Sequence, residues 1–198
     1  MTNHLKVIAS VAVMAATVSG CVNLKPPPDP TRYYLLNGAS DPDSLVHEAS
    51  ASGRIVRLAP VELEPYLDNR YMVLRLQEFE VQFSDIHRWG EELADNIRSA
   101  LARDLLATGA VSKIATKASE DADYVIKLHV HRFEGAPPDI AHLSATWTLL
   151  DSSGNVLYTT AYDERNSGWV FEDYAHLAEK LDESLDTLAK AMVDKLPG

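Results

Sequence analysis

The sequence has only one cysteine, at position 21. A single thiol excludes a disulfide scaffold, a zinc site built from several cysteines and an iron–sulfur cluster. Positive charge is also scarce, because 18 Lys and Arg residues stand against 29 Asp and Glu residues, for a net charge of −11. A chain with this net negative charge repels a phosphate backbone, which disfavours nucleic-acid binding. The same repulsion disfavours docking on anionic lipid through charge alone.

The motifs of several enzyme classes are missing as well. The sequence contains no G-x-x-x-x-G-K-[ST], no G-x-G-x-x-G, no H-E-x-x-H, no G-x-S-x-G and no Ser-x-x-Lys. These absences favour a protein without catalysis and without a cofactor. A triad assembled from distant Ser, His and Asp residues stays open, because it is recognised by geometry rather than by sequence.

The N-terminal segment, residues 1–20, has the features of a signal peptide. Lys6 supplies a positive region, and the apolar run over residues 7–18 is too short to cross a hydrocarbon core of ~30 Å. The run ends in Val18-Ser19-Gly20-Cys21, which resembles the bacterial lipobox. In lipoproteins the signal is cut before that cysteine, which is then acylated, so lipidation is predicted at Cys21. An uncleaved anchor and an ordinary signal peptide are the alternatives.

The residues after the lipobox predict where the protein sits. Val22 stands where enterobacterial lipoproteins retained in the inner membrane carry Asp, so we expect export to the outer membrane, on its periplasmic face.

Residues 21–31 include four prolines between Pro26 and Pro30 and predict an extended tether. A single domain is expected over residues 32–198, and no later segment approaches the ~18 apolar residues of a membrane span.

Within the domain, alternation and turn residues predict about seven or eight strands. They cover Tyr33–Leu36, Arg54–Leu58, Tyr71–Leu76, Phe79–Phe83, Val111–Ala115, Asp123–Phe133, Leu143–Leu150 and Val156–Tyr162. Two helices are predicted, over Ser84–Thr108 and Glu172–Leu196. The first is based on apolar residues four apart: Trp89, Leu93, Ile97, Leu101 and Leu105. The expected fold class is α/β, with a mixed β-sheet flanked by two long helices that bury their apolar stripes on it.

One spacing in the sequence is typical of a metal site. His129 and His131 are two apart on a predicted strand and so point the same way. With His142 on the neighbouring strand they could supply three imidazoles to a metal ion. Lys127 shares that face and opposes a cation, so the favoured interpretation is a polar, partly solvated sheet face with no metal.

Several segments resemble the PqiC/YmbA group of ABC-type transport auxiliary lipoproteins. After Cys21 these segments are, in order, Tyr33–Leu36, Val56–Asp68, Tyr71–Arg75 and Trp89–Ile97. The order and approximate spacing match over the first half of the mature chain, including a Pro65-Tyr66-Leu67-Asp68 segment before a strand and a Trp89-Gly90-Glu91-Glu92-Leu93 helix start. The group's pattern has one residue between the proline and the tyrosine, whereas Pro65 and Tyr66 are adjacent here. The strand that follows also starts differently, with Asn69-Arg70-Tyr71.

The resemblance implies an outer-membrane lipoprotein that has no catalysis of its own. Such a protein serves an MCE-type lipid transport system, in which it receives or docks the far end of an inner-membrane protein with MCE domains. The implied fold is similar to an anticodon-binding-like α/β sandwich. Three alternatives remain open: an envelope-assembly scaffold of the lipopolysaccharide-transport or Tol kind, an anchored hydrolase, and a metal-binding lipoprotein. A second copy of the chain also remains a possible partner.

Two places in the sequence are candidates for partner binding. The segment Pro65–Arg70 places Tyr66, Leu67 and Arg70 in a loop between two strands, and Tyr and Arg are enriched at binding hot spots. The alternative is that Tyr66 and Leu67 fold back into the core. The second candidate is Trp169, which follows Asn166-Ser167-Gly168 in a connection, where its side chain could be exposed.

Overall fold

The computed structural model describes residues 28–36, 53–115, 117 and 119–197. The predicted signal peptide over residues 1–20, the lipidation site Cys21 and the tether up to residue 27 lie outside the described residues. The polar segment over residues 37–52 lies outside them too.

The described residues form nine strands and two helices. The strands are β1 (Arg32–Tyr34), β2 (Arg54–Leu58), β3 (Glu62–Leu63), β4 (Tyr71–Gln77), β5 (Glu80–Trp89), β6 (Val111–Ala115), β7 (Tyr124–Ala136), β8 (Ile140–Asp151) and β9 (Val156–Ser167). The helices are α1 (Leu93–Ala107), between β5 and β6, and α2 (Tyr174–Val193), after β9. The mixed sheet with two long helices confirms the predicted fold class.

The long strand β7 organises the sheet. Along one edge it pairs antiparallel with β8, which pairs antiparallel with β9. Along its other edge it pairs in parallel with β2, β3 and β4 in turn, at Tyr124–Ile126, His129–Val130 and Gly135. The strand β6 extends the sheet beyond β2, while β5 and then β1 extend it beyond β4.

A bulge in β7 changes which side chains face the core. Ile126, Leu128 and Val130 are buried, and the pairing with β8 then shifts between Val130 and Arg132. After the shift the buried apolar side chain is Phe133, at an odd number. An extra residue at a bulge moves the alternation of side chains by one position. His131 is the residue at this shift, so core-facing side chains have even numbers before it and odd numbers after it.

Both helices bury one apolar face. Ile97, Leu101 and Leu105 of α1 have no exposed surface. The same holds for the α2 residues Leu177, Leu181, Leu185, Leu188 and Met192. These side chains belong to one hydrophobic cluster with Trp147 and Phe133 of the sheet. Neither helix is long and apolar enough to cross a membrane, among the residues that the structure describes.

The predicted start of the first helix is wrong. Residues 84–89 continue β5, and α1 begins at Leu93 after Glu92, whose side chain makes no cap hydrogen bond. The extended form is stabilised because this stretch pairs with β1 on one edge and β4 on the other. Trp89 is therefore buried as the last residue of a strand and not as part of the helix stripe.

The predicted end of that helix is confirmed. Gly109 follows the cap residue Thr108 with a φ of +73°, and its N–H donates to the carbonyl of Leu106 at 3.0 Å. A positive φ at this position favours glycine. The second helix is shorter than predicted and begins at Tyr174, where the Asp173 carboxylate accepts hydrogen bonds from the N–H groups of Ala175 and His176.

Candidate partner-binding surface

The segment Pro65–Arg70 folds back onto the domain. Leu67 is buried, and Tyr66 is half-buried. The Tyr66 hydroxyl lies 2.9 Å from a carboxylate oxygen of Glu134 and 3.0 Å from the carbonyl oxygen of His131, both on β7. The alternative in which these two side chains pack into the protein is therefore the one that the structure shows.

An ion pair lies beneath this segment. Glu134 has no exposed surface, and Arg75 of β4 binds both of its carboxylate oxygens, through Nε to Oε1 and through Nη2 to Oε2. Burial raises the pKa of Tyr66, and the Glu134 carboxylate raises it further. The phenol thus stays a neutral hydrogen-bond donor at physiological pH, and it ties the segment to the buried ion pair.

Arg70 is the predicted partner-binding residue of this segment that stays at the surface. Its Nη2 lies 2.7 Å from Oε1 of Glu92, and both side chains are more than half exposed. Its backbone is fixed by the N–H of Trp89, which donates to the Arg70 carbonyl at 2.7 Å. Exposed ion pairs contribute little to stability, so the Arg70 guanidinium can exchange its partner at small cost.

Trp169 is buried, so it is not the exposed contact residue that its place in a connection allowed. Its side chain is 2% exposed, and its Nε1–H donates to the carbonyl of Asp173 at 2.8 Å. The ring packs against Gly135 of β7, where an added Cβ would lie 3.0 Å from the indole and 2.7 Å from Leu74. The indole is buried because a glycine in the facing strand leaves room for it, a pairing that local sequence does not reveal.

The structure exposes several large apolar side chains on one hairpin, which the sequence did not indicate. We use the name hairpin surface for these exposed side chains of the hairpin of β4 and β5, which are Tyr71, Leu76, Phe79, Phe83 and Ile86. Phe79 lies in the turn and is 93% exposed. The available signal was the position of this aromatic residue between Glu78 and Glu80, which indicates a turn rather than the predicted strand start.

The base of the hairpin combines aromatic and cationic groups. The rings of Tyr71 and Phe83 meet edge to face, with centroids 6.3 Å apart. The Arg88 guanidinium carbon lies 5.0 Å from the centroid of the Tyr71 ring. Exposed aromatic residues with an arginine beside them are the composition of protein–protein hot spots.

One line of residues has the connectivity of a catalytic triad. His131 Nε2 lies 2.9 Å from the Thr146 hydroxyl, and His131 Nδ1 lies 3.0 Å from Glu64 Oε1. However, Thr146 lies within β8, which is paired on both edges, opposite His129 and Ala161. The backbone N–H groups around Thr146 are committed to the sheet, so they are not free to bind an oxyanion as acyl transfer requires.

His142 does not join His129 and His131, so the alternative of a site with three imidazoles does not form. Its Nε2 lies 2.9 Å from Oδ2 of Asp163, and this contact lowers the pKa of the Asp163 carboxyl. The register explains the separation, because β8 places His142 opposite Glu134 but places Thr146 opposite His129. The residue that joins the two histidines is Glu64, which the sequence analysis did not consider for this role.

The comparison with protein families decides the class of the protein. Residues 34–193 match the family model of the ABC-type transport auxiliary lipoprotein component. The chain belongs to this family. The resemblance to the PqiC/YmbA group is thereby confirmed, and membership in a lipoprotein family implies a membrane-anchored protein of the cell envelope.

Solved structures share the fold. The crystal structure of an uncharacterised protein is 14% identical, with a TM-score of 0.66, over 84% of this chain and 99% of that chain. A Xanthomonas campestris protein of the DUF330 family is 18% identical, with a TM-score of 0.62, over 74% of this chain and 86% of that chain. No curated protein matches the sequence closely enough to count as a relative.

Proposed function

We propose that the protein is a non-catalytic auxiliary subunit of an MCE-type intermembrane lipid transport system. The observation that carries the proposal is the hairpin surface, an exposed aromatic hairpin on a member of a transport-auxiliary family. Groups of exposed apolar side chains are typical of contact sites. Here Tyr71 and Phe83 meet edge to face, and Phe79 is 93% exposed in the turn of the same hairpin. The partner is the MCE-domain protein that reaches across the periplasm from the inner membrane.

The proposed docking site extends from the hairpin surface to Arg70. Phe79 supplies an apolar anchor at the tip, while Tyr71 and Arg88 supply an aromatic face and a cation at the base. Arg70 adds a second exposed cation beside them in sequence. Tyr66 supports this surface from within, because its hydroxyl fixes the segment that leads into β4. Leu67 and Trp169 are buried, so they support this surface only through the packing of the core.

The proposed attachment holds the domain at the outer membrane. Acylation of Cys21 anchors the chain, and the proline-rich tether over residues 21–31 separates the domain from the bilayer. Two variants test this arrangement. Cys21→Ser should leave an unprocessed precursor without acyl label, and Val22→Asp should move the protein to the inner membrane in a host that uses the Asp rule. Wild-type protein in the inner-membrane fraction would contradict the proposed location.

The functional proposal is tested by capture from membranes. The full-length lipoprotein is purified in detergent from cells that also make the MCE-domain protein, and co-purifying proteins are identified by mass spectrometry. We expect the MCE-domain protein to co-purify, and we expect a deletion strain lacking the lipoprotein to become detergent-sensitive. Full complementation of that strain in cells without any MCE protein would contradict the transport role.

A further inference from the structure

Three side chains of metal-binding type meet where β3 runs beside β7. Glu64 Oε1 lies 3.0 Å from His131 Nδ1 and 3.4 Å from His129 Nε2. The three ligand atoms all lie within 4.8 Å of one another. We propose that Glu64, His129 and His131 bind a divalent transition-metal ion, with Zn²⁺ as the occupant that this donor set favours.

The distances fit a tetrahedral ion. With metal–nitrogen and metal–oxygen distances of about 2.0–2.2 Å, neighbouring ligand atoms of a tetrahedron lie about 3.3–3.6 Å apart. The distance of 3.4 Å from Glu64 Oε1 to His129 Nε2 falls in that range, and the distance of 3.0 Å to His131 Nδ1 is slightly shorter. The imidazole rings of His129 and His131 have centroids 4.5 Å apart and are inclined at 49°, so they do not stack. Each of the three side chains is more than a third exposed and can turn to complete the site.

The sheet fixes the backbone of the three ligands. The parallel register places Glu62 beside His129 and Leu63 beside Val130. The N–H of Glu64 then donates to the carbonyl of Val130 at 3.1 Å, which brings the Glu64 side chain level with His131. The bulge of β7 lies at His131, and bulges commonly redirect a side chain at a functional site.

A neighbouring hydroxyl orients one ligand. His131 Nε2 lies 2.9 Å from Thr146 Oγ1. When Nδ1 binds a metal ion, the ring hydrogen resides on Nε2 and donates to that hydroxyl oxygen. Histidines that ligate metals usually donate their other N–H to such a partner, which fixes both the ring and its tautomer.

The surroundings leave space for a further ligand and supply charge of both signs. Glu64 and His129 line a cavity of about 440 Å³, together with Glu62 and Asp68. A water molecule can therefore reach an ion at this position. Glu62 and Asp68 are exposed, so solvent screens their attraction for a cation. Lys127 has the opposite effect from the same face of β7, but its side chain is exposed, so solvent screens its charge.

The site does not depend on the proposed transport role. An ion there joins the end of β3 to β7, immediately before the segment Pro65–Arg70. Binding to the folded state alone stabilises that state. The proposed ion is therefore a clamp that holds this segment on the sheet, and it supplies no chemistry.

The test is a titration of the full-length protein, purified in detergent without a histidine tag or chelator, with ZnCl₂ in a calorimeter. We expect one ion per chain. Glu64→Gln, His129→Ala and His131→Ala should each weaken binding by about tenfold or more, because each removes a ligand. Glu62→Gln is the matched control, since it neutralises an acid two residues away that lines the same cavity, and it should leave the affinity within about twofold.

A second measurement covers variants that fold poorly. Co²⁺ replaces Zn²⁺, and the visible absorption of a four-coordinate site is followed in the wild type and in Glu64→Gln, whose side chain keeps its shape. Loss of the signal in Glu64→Gln and its retention in Glu62→Gln would support the site. Wild-type binding no tighter than that of a folded His129→Ala/His131→Ala variant would overturn it, as would equal losses in the two glutamate variants.

Discussion

The two faces of the sheet differ in what they bury. The helix-covered face is apolar and includes Ile126, Leu128 and Val130 of β7. On the opposite face the described residues make polar contacts, such as that between His131 and Thr146. It also has the ion pair between Arg75 and Glu134, which is covered by the segment Pro65–Arg70.

This difference separates stability from binding. Apolar burial against the helices is non-directional and supplies most of the folding free energy. Buried polar groups are directional and costly to leave unpaired, so they fix one arrangement of the segment and the neighbouring hairpin. The exposed aromatic residues of the hairpin surface are thereby held on a rigid support, which lowers the entropic cost of docking.

The largest effect is expected at the buried ion pair. Arg75→Met leaves the Glu134 carboxylate buried without its cation and should destabilise the protein by about 3–5 kcal/mol. Arg70→Met breaks only an exposed pair and should cost less than about 1 kcal/mol. Chemical denaturation measures both changes in the free energy of unfolding. Equal losses of stability in Arg75→Met and Arg70→Met would mean that Glu134 is not a buried charge that needs its cation. The double variant Arg75→Met/Glu134→Gln also removes that charge, so it should lose less stability than Arg75→Met alone.

The helix-covered face should respond nearly as strongly. Ile97 and Leu101 have no exposed surface, so Ile97→Ala or Leu101→Ala should lower the free energy of unfolding by about 2–5 kcal/mol. Leu157→Ala is the control, because Leu157 is 46% exposed on β9, and it should change stability by less than about 0.5 kcal/mol. Losses below that size in both helix variants would mean that α1 does not pack as described.

A smaller, pH-dependent effect is expected at Asp104 of α1. Burial raises its pKa to about 6 from 3.8, although the neighbouring Arg103 opposes the shift. The folded state therefore binds the proton more tightly than the unfolded state, and the contribution of Asp104 to stability falls as pH rises from about 4 to about 7. Asp104→Asn cannot titrate and should gain up to ~3 kcal/mol relative to the wild type over that range. A difference that does not change with pH would contradict the raised pKa.

The smallest effect on stability, and the largest on binding, is expected at the hairpin tip. Phe79 is almost fully exposed, so Phe79→Ala should change the free energy of unfolding by less than about 0.5 kcal/mol. Capture of the MCE-domain protein should nevertheless weaken by about tenfold, the cost of truncating a hot-spot aromatic residue. Leu157→Ala, at another exposed leucine, should leave capture unchanged. Unchanged capture by Phe79→Ala would move the contact away from the hairpin.

The sequence predicted the apolar framework more reliably than the surface. The stripe of α1 from Leu93 to Leu105, the stripe of α2 and the alternation of β7 and β8 depend on local periodicity, and the structure confirms them. The predicted first helix begins too early. The strand β5 is stabilised there by pairing with two other strands, and local propensity does not reveal such tertiary contacts.

The candidate site depended on contacts that span the chain. Trp169 is buried by Gly135, and Tyr66 is tied to Glu134, partners that are far apart in sequence. The pairing of β3 with β7 places Glu64 beside His131. From the sequence, the residue considered as the third ligand beside His129 and His131 was His142. Periodicity indicates which face a residue occupies, but only the register of the sheet indicates which residues meet there.

Site-specific photocrosslinking in intact cells tests the central claim most directly. A photoreactive phenylalanine analogue replaces Phe79 in the full-length lipoprotein, and the same analogue replaces Leu157 as the control. We predict that light joins the protein to the MCE-domain protein from position 79 but not from position 157. Equal crosslinking from both positions, or none from position 79 in cells that the variant still complements, would contradict docking through the hairpin surface.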